Sequence, residues 1–407
     1  MNSPSRKNFP FLRFSVINTY TMKLDLGKNR LYLDYNATTP VATPVMDAIR
    51  RAMQYLWGNP SSTHGLGMAA KEALEAARVQ AASLINARPG EIIFTSGGTE
   101  SNNTVILGAA KAVSPGKRHL VTTGIEHPAV LNPAIHLMEE GWDVSFARVD
   151  GQGVVDPAEI KRVLRPDTAM VSVMFANNET GAIQPLEEIV RMAHEYDVPV
   201  HTDAAQAIGK ISVDVQALGV DYLTIAGHKL YAPKGIGALF VRDGAPFGQI
   251  LFGAGQETGR RPGTEPVPLA IGLGAACDFV QDGLEDEARR QSALRDRLFE
   301  GLSSQGYPLV RHGPVDKTLP NTLSVAFAGM SGARILQVSQ GLMASTGAAC
   351  HESSVAVSHV LSAMGVERDV AMGTIRLSIG RFTTEDDIDN AVVVINEALK
   401  RLKQETI

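Results

Sequence analysis

His201-Thr202-Asp203-Ala204-Ala205-Gln206, and after it Thr224-Ile225-Ala226-Gly227-His228-Lys229, set an acid and a lysine just beyond two apolar runs. Val198 to Val200 lead into Asp203, and Tyr222 to Ile225 lead into Lys229. Each run reads as a strand with a polar residue at its C-terminal end, where open α/β sheets collect their ligand-binding groups. A carboxylate in that place holds a pyridine nitrogen protonated, and a lysine at the end of the next strand forms a Schiff base. Together they supply what pyridoxal 5'-phosphate (PLP) asks of the floor of its site. Either residue alone reads equally well as an ordinary strand-end acid or a surface lysine, so the flanking segments decide.

Outward from this stretch, short β-rich runs alternate with helical ones from about residue 90 to 275. Strands are expected at Glu91–Thr95, His119–Thr123, Asp143–Arg148, Ala169–Met174, Val198–His201, Tyr222–Ile225 and Ala238–Val241. Helices are expected at Ser101–Val113, Pro128–Glu140, Pro157–Leu164 and Leu186–Tyr196. The alternation is the βαβ rhythm of a mostly parallel sheet covered on both faces. Past Leu284 come a charged helix at Glu285–Leu302, strands near Thr322–Ala326 and Thr374–Ser378, and helices at Arg334–Gln340 and Asp386–Leu402. The expected organisation is a large α/β domain over 31–280 and a smaller α+β domain over 281–407, sharing a cleft. Residues 1–30 form an arm with Arg6, Lys7 and Arg13 and no acid before Asp25. Arg13 breaks the apolar stretch that a signal peptide needs, so the arm is expected to be disordered or part of the small domain, or Met22 to be the natural start.

With 407 residues and 44% hydrophobic content, the chain is able to bury a large core. A net charge of −5 without a long basic run leaves no electrostatic footprint for nucleic acid or an anionic membrane. No run of apolar residues is long enough to span a bilayer. Two cysteines cannot make a disulfide framework and suit a reducing, cytoplasmic compartment. Small-molecule chemistry is the class that remains.

Ser96-Gly97-Gly98-Thr99-Glu100-Ser101-Asn102 follows a strand and opens a helix. Gly98 lets the backbone approach a ligand, and helix N-terminal N–H groups with the Thr99 hydroxyl offer donors to a phosphate; the same turn also serves as a plain helix cap. Ile125-Glu126-His127-Pro128 stands at the next strand end, where the His127 ring would lie on a cofactor or be structural. Asn177-Asn178-Glu179-Thr180-Gly181 follows another strand, and reads as a turn or as an amide aimed at a ligand. Both cysteines stand in Gly-Ala-Ala-Cys. Cys277 sits in an apolar helical stretch where an inert thiol is expected. Cys350 lies in the small, polar run Ser345-Thr346-Gly347-Ala348-Ala349-Cys350-His351-Glu352-Ser353-Ser354, expected to be an exposed loop carrying a reactive thiol. Thr374-Ile375-Arg376-Leu377-Ser378 puts an arginine in a strand, where its fork would suit a carboxylate across the cleft.

Taken together, the segments resemble the class V aminotransferase-fold enzymes, in particular the cysteine desulfurase and selenocysteine lyase group with a long mobile Cys loop. The resemblance runs from Leu31 to about Ile388. It is carried in order by Tyr32-Leu33-Asp34-Tyr35-Asn36-Ala37-Thr38-Thr39-Pro40, Gly58-Asn59-Pro60-Ser61-Ser62, Phe94 to Ser101, Glu126-His127, His201 to Gln206, Gly227-His228-Lys229, Arg261-Pro262-Gly263-Thr264 and the Cys350 segment.

The resemblance implies the PLP-dependent transferase fold type I and roles for single residues. Lys229 would hold PLP and later shuttle the Cα proton. Asp203 would pair with the pyridinium, Gln206 with the phenolic oxygen, and His127 would stack on the ring. Gly98, Thr99, His228 and, from the other subunit of a homodimer, Thr264 would hold the phosphate. Asn36, Asn178 and Arg376 would hold the substrate, and Cys350 would take its sulfur, leaving alanine. L-cysteine is the expected substrate, with a sulfur-acceptor or scaffold protein as partner and no metal. L-selenocysteine is the alternative substrate, and a non-catalytic PLP-fold binding protein the distant one. One position departs from the pattern: many desulfurases carry Ser two residues before the histidine of Gly-His-Lys, and this chain has Ala226.

Overall fold

A computed structural model describes residues 30–113, 116–346, 348–351 and 354–405. The arm expected at 1–30 lies outside the described residues except for Arg30. At the centre is a seven-stranded mixed sheet in the order Ile92–Thr95, Gly237–Val241, Tyr222–Ala226, Val200–Asp203, Thr168–Ser172, His119–Thr123, Asp143–Ala147. The pairings beyond Tyr222–Ala226 are parallel, and Gly237–Val241 runs antiparallel to both of its neighbours. All residues of the six strands from Ile92–Thr95 to His119–Thr123 are buried, as expected of a sheet with both faces covered.

Most expected elements appear within two or three residues of their bounds. The strand expected at Val198–His201 runs instead over Val200–Asp203, so Asp203 is its last residue and not a loop residue beyond it. The polar His201 and Thr202 misplace the boundary because both are buried inside the sheet. There His201 bonds Ser172 Oγ at 2.8 Å and Thr224 Oγ1 at 3.2 Å.

Two long helices, Thr43–Tyr55 and Gly65–Leu84, pack with Val267–Gln281 against the same core as the sheet. Their contact is made by small residues: a Cβ on Gly274 would lie 2.9 Å from Ala77 Cα. No single helix among the described residues is long and apolar enough to cross a membrane.

A four-stranded sheet, in the order Ser345–Thr346, Thr374–Ser378, Thr322–Phe327, Leu309–His312, forms the second core with the helices Leu284–Ser303 and Glu385–Glu405. Leu31 and Leu33 pack into this core, and Leu31–Tyr32 pairs in parallel with Leu342–Met343. The chain then crosses to the large sheet, carrying Asp34 to Thr39 along the cleft between the two.

The segment expected to be a loop around Cys350 is a hairpin: Ala348–His351 pairs antiparallel with Ser354–Val357, and Cys350 stands opposite Val355. Small and polar residues hide this strand from a reading by β-propensity. The Cys350 side chain and residues 347, 352 and 353 lie outside the described ones.

Candidate active site

The floor of the cleft is the row of strand ends. Asp203 is buried, and its carboxylate accepts from Asn102 Nδ2 at 2.6 Å and from the Ala205 N–H at 2.9 Å. Those bonds fix the plane of the carboxylate at the strand end.

Lys229 follows in the turn Gly227–Lys229, after Tyr222–Ala226. Its Nζ donates to the Asn36 and Ala37 carbonyls, the latter at 2.8 Å. Burial, with the charge of Arg376 adding to it, lowers its pKa to about 8. An ammonium poised near neutrality gives up its proton readily, as a Schiff-base lysine and a proton shuttle must.

His127 caps the Pro128–Glu139 helix, with Nδ1 accepting from the Ala129 N–H at 3.1 Å. Burial holds its pKa down; Asp203 pulls the other way, while Lys229 and His359 add to the lowering. A neutral, fixed ring at that edge suits stacking on a flat cofactor.

Beside the floor is a pocket of about 480 Å³ lined in part by Thr38, Gly97, Gly98, Thr99, His228 and Lys234. Gly97 has φ 150° and opens the Gly98–Ala112 helix. A Cβ on Gly237 would lie 2.7 Å from Gly97 Cα, so the turn sits directly against its neighbouring strand. Gly97, Gly98 and Thr99 at that helix start line the pocket, and the unpaired N–H groups of a helix N-terminus are the donors a phosphate takes. His228 bonds Thr38 Oγ1 at 3.2 Å, and burial lowers its pKa to about 4, which keeps the ring neutral. Ala226 is buried beneath this turn, and a Cβ on Gly98 would lie 3.2 Å from the Ala226 Cβ. Position 226 therefore borders the helix start, where a serine hydroxyl would reach an anion.

Across the cleft Arg376 reaches out of the small sheet. Its Nη2 donates to Asp34 Oδ1 at 2.8 Å and to Ser345 Oγ at 3.0 Å, and its Nη1 to the Asn178 carbonyl at 3.0 Å. Its buried Nε has no partner among the described residues, a donor left over for a ligand. Asn36 and Asn178 stand beside it, but Asn36 faces the cleft through its carbonyl. Its buried side chain is engaged by Thr322, Asn321, Lys210 and the Asn178 carbonyl. Gln206 donates to the Asn36 carbonyl at 3.0 Å. Thr264 is exposed on a loop that Arg261 ties to the phosphate turn through Glu100, at 2.8 Å.

Several residues that sequence reasoning passed over hold this arrangement. Lys210 is buried and bridges Gln206 Oε1 at 2.5 Å and Asn36 Oδ1 at 3.2 Å. Lys210 Nζ donates to both amide oxygens, which leaves the Gln206 NH2 to bond the Asn36 carbonyl. Asn177, within the turn already singled out, receives the Glu179 and Thr180 N–H groups and donates to the Ile125 carbonyl at 3.0 Å, joining two strand ends. Glu126, beside His127, is fully buried, and burial pushes its carboxyl up to about 8. Among the described residues only its Oε1 is engaged, by Thr123 and the Met174 N–H.

The donor set fits PLP: an anion cradle at a helix start, a fixed carboxylate for the ring nitrogen, a buried amine for the aldehyde, and an arginine donor for a carboxylate. It supplies no cluster of metal-ligating side chains among the described residues.

Comparison with known proteins agrees. The chain matches the model of the family described as aminotransferase class-V over residues 31–391. It is 41% identical over 378 residues to the cysteine desulfurase IscS of Dictyoglomus turgidum, covering 92% of this chain and 96% of that one. A solved NifS-like protein superposes with a TM-score of 0.86 at 37% identity, over 91% of this chain and 99% of the other. A structure titled SspA in complex with cysteine superposes at 0.77 with 35% identity, over 87% of this chain and 100% of its own. On that ground, and with the strand-end acid, lysine and phosphate turn in place, the chain belongs to the aminotransferase class-V family, with cysteine desulfurases among its relatives.

Proposed function

We propose that this protein is a PLP-dependent cysteine desulfurase that removes the sulfur of L-cysteine and leaves L-alanine. The observation that carries the reading is the opposition of Asp203 and Lys229 on one wall to Arg376, with its spare Nε, on the other. The first wall suits PLP and the second an α-amino acid carboxylate, and both chemistries match the cysteine desulfurases to which the chain is similar.

When bound, PLP supplies an electron sink for the bonds broken at the substrate's Cα and Cβ. Gly98, Thr99 and His228 hold its phosphate, Asp203 its ring nitrogen, and Gln206 its phenolic oxygen; His127 covers its face. Arg376, beside Asn178, takes the substrate carboxylate through charge-assisted hydrogen bonds, while Asn36 braces the wall between them. Lys229, with a pKa near neutrality, accepts the Cα proton at Nζ and returns a proton to carbon. The Cys350 thiolate attacks the substrate sulfur. The Cβ–S bond breaks with its electron pair left on carbon, which is protonated to the methyl of alanine, and Cys350 retains the sulfur as a persulfide. A sulfur-acceptor or scaffold protein then takes it.

The protein acts as a homodimer in this reading. Met53, Tyr55, Trp57, Leu66, Met68 and Phe252 are exposed large apolar side chains, a surface that a second copy would cover. Thr264, outside the residues lining its own phosphate pocket, would serve the partner's. Two cysteines and the absence of a disulfide framework suit the cytoplasm.

Alanine and persulfide formation on reduced, PLP-saturated protein tests the proposal, with L-cysteine and L-selenocysteine at matched concentration and Cys350→Ala alongside. Turnover of cysteine with a persulfide that vanishes in Cys350→Ala is expected. Turnover of selenocysteine alone overturns it in favour of a selenocysteine lyase, and a Schiff-base spectrum without alanine reduces the protein to a binding module.

A further inference from the structure

The hairpin that carries Cys350 is tied at both ends to the two walls of the cleft. At its upstream end Ser345 accepts from Arg376 Nη2 at 3.0 Å and donates to Asp34 Oδ1 at 2.8 Å. At its downstream end Ser358 donates to Glu179 Oε2 at 2.6 Å, and His359 Nε2 bonds the Glu126 carbonyl at 2.8 Å. Glu179 adjoins Asn178 and Glu126 adjoins His127, so one pair of bonds docks the end of the hairpin onto the residues beside the proposed carboxylate and ring contacts. Asn177, which bonds both the Glu179 N–H and the Ile125 carbonyl, locks those two strand ends to each other. Beyond this dock, Val360, Leu361 and Met364 pack with Ile125 and Met174 in a small core of their own, which gives the contact a rigid seat.

We propose that Glu179, Ser358 and His359 are positioning residues that set the register of the Cys350 hairpin against the substrate, acting on sulfur abstraction and not on cofactor or amino-acid binding. The inference rests on the desulfurase reading and deepens it. Ser358 also caps the His359–Ala363 helix by accepting from the Val360 N–H at 3.0 Å, so the same hydroxyl ends the hairpin segment and starts the packed helix. A shift at this point is passed to Cys350 through the short antiparallel ladder in which Cys350 faces Val355.

The test is single-turnover persulfide formation on Cys350 in the full-length, PLP-loaded protein, read by thiol labelling, together with PLP content and the cysteine concentration giving half-saturation. Ser358→Ala and Glu179→Ala are expected to slow persulfide formation on the order of ten- to a hundredfold, as small misplacements of reacting groups do, with PLP content and half-saturation unchanged. Glu179→Gln retains an acceptor oxygen for Ser358 and is expected to recover most of the rate. His359→Phe keeps the ring volume without the hydrogen bond and is expected to show a smaller loss in the same step. Wild-type rates in all four variants overturn the positioning role, as does a loss of PLP content in step with rate. Wild-type protein that forms neither alanine nor persulfide refutes the desulfurase reading itself, and the inference with it.

Discussion

On the large-sheet side of the cleft, Asp203, Lys229, His127 and the Gly97–Thr99 turn each sit at or just beyond the end of a strand, and the sheet alone brings them together. On the small-sheet side, Arg376 is held by Asp34, Ser345 and the Asn178 carbonyl, contributed by three segments far apart in the chain. The first wall is a property of local motifs repeated along one sheet. The second is a property of tertiary assembly, and its donor fork exists only once all three segments meet. Damage to the first wall should therefore remove a chemical function, and damage to the second should loosen binding by degrees.

The harshest trial of that difference is Lys229→Ala, which removes the group proposed to hold PLP covalently and to move the proton. Alanine formation should fall by about a thousandfold or more, with loss of the Schiff-base absorption band. Arg376→Lys keeps the charge and loses the fork, so kcat/KM for cysteine should fall roughly ten- to a hundredfold, mainly through KM. Equal losses in the two variants, or a loss in kcat alone for the second, would break the comparison.

A pH test follows from Glu126. Its carboxyl is raised from 4.5 to about 8 by burial, with the Asp203 charge adding to it, so the folded protein retains a proton there that the unfolded chain releases. Stability from this group is present below the ordinary carboxylate value and is lost as pH rises toward 8. Relative to wild type, Glu126→Gln should gain stability between pH 5 and pH 8, by roughly 3–4 kcal/mol in denaturant titrations. An unchanged difference across that window would show that the buried carboxyl is already ionised.

The smallest effects sharpen the contrast within the first wall. Ala226→Ser puts a hydroxyl at the border of the phosphate turn and should tighten PLP binding a few-fold, by ~1 kcal/mol, measured by cofactor titration of the apoprotein. Cys277→Ala should leave persulfide formation near the wild-type rate. Cys277 is fully buried in the Val267–Gln281 helix, and burial raises its pKa far above neutrality, so it supplies no thiolate.

The legibility of the sequence follows the same division. Asp203, Lys229, His127 and Thr99 were readable because each lies beside an apolar run that announces its strand. Lys210 was not, since one lysine after Ile208-Gly209 carries no sign that it is buried between Gln206 and Asn36. Asp34 and Ser345 gain meaning only through Arg376, with which they share no local pattern. The helix Gly65–Leu84 went unnamed because its buried face is largely alanine and glycine, whose close packing against Val267–Gln281 leaves little apolar periodicity to read. The Cys350 hairpin was hidden for a related reason: strand pairing, not side-chain character, makes it a strand.

The pairing of Leu31–Tyr32 with Leu342–Met343 bears on how the molecule is made. During vectorial synthesis the amino-terminal strand leaves the ribosome with its partner still untranslated, and at ordinary elongation rates of about 5–20 residues per second it waits for tens of seconds. The large sheet has all of its strands in hand by Val241 and is free to pair in that interval, while Asp34 still waits for Arg376 and Ser345. The carboxylate wall then closes in a late, high-contact-order step. A nascent chain halted after Val241 should carry the acid and the lysine of the cofactor floor, yet have no fork with which to grip an amino acid.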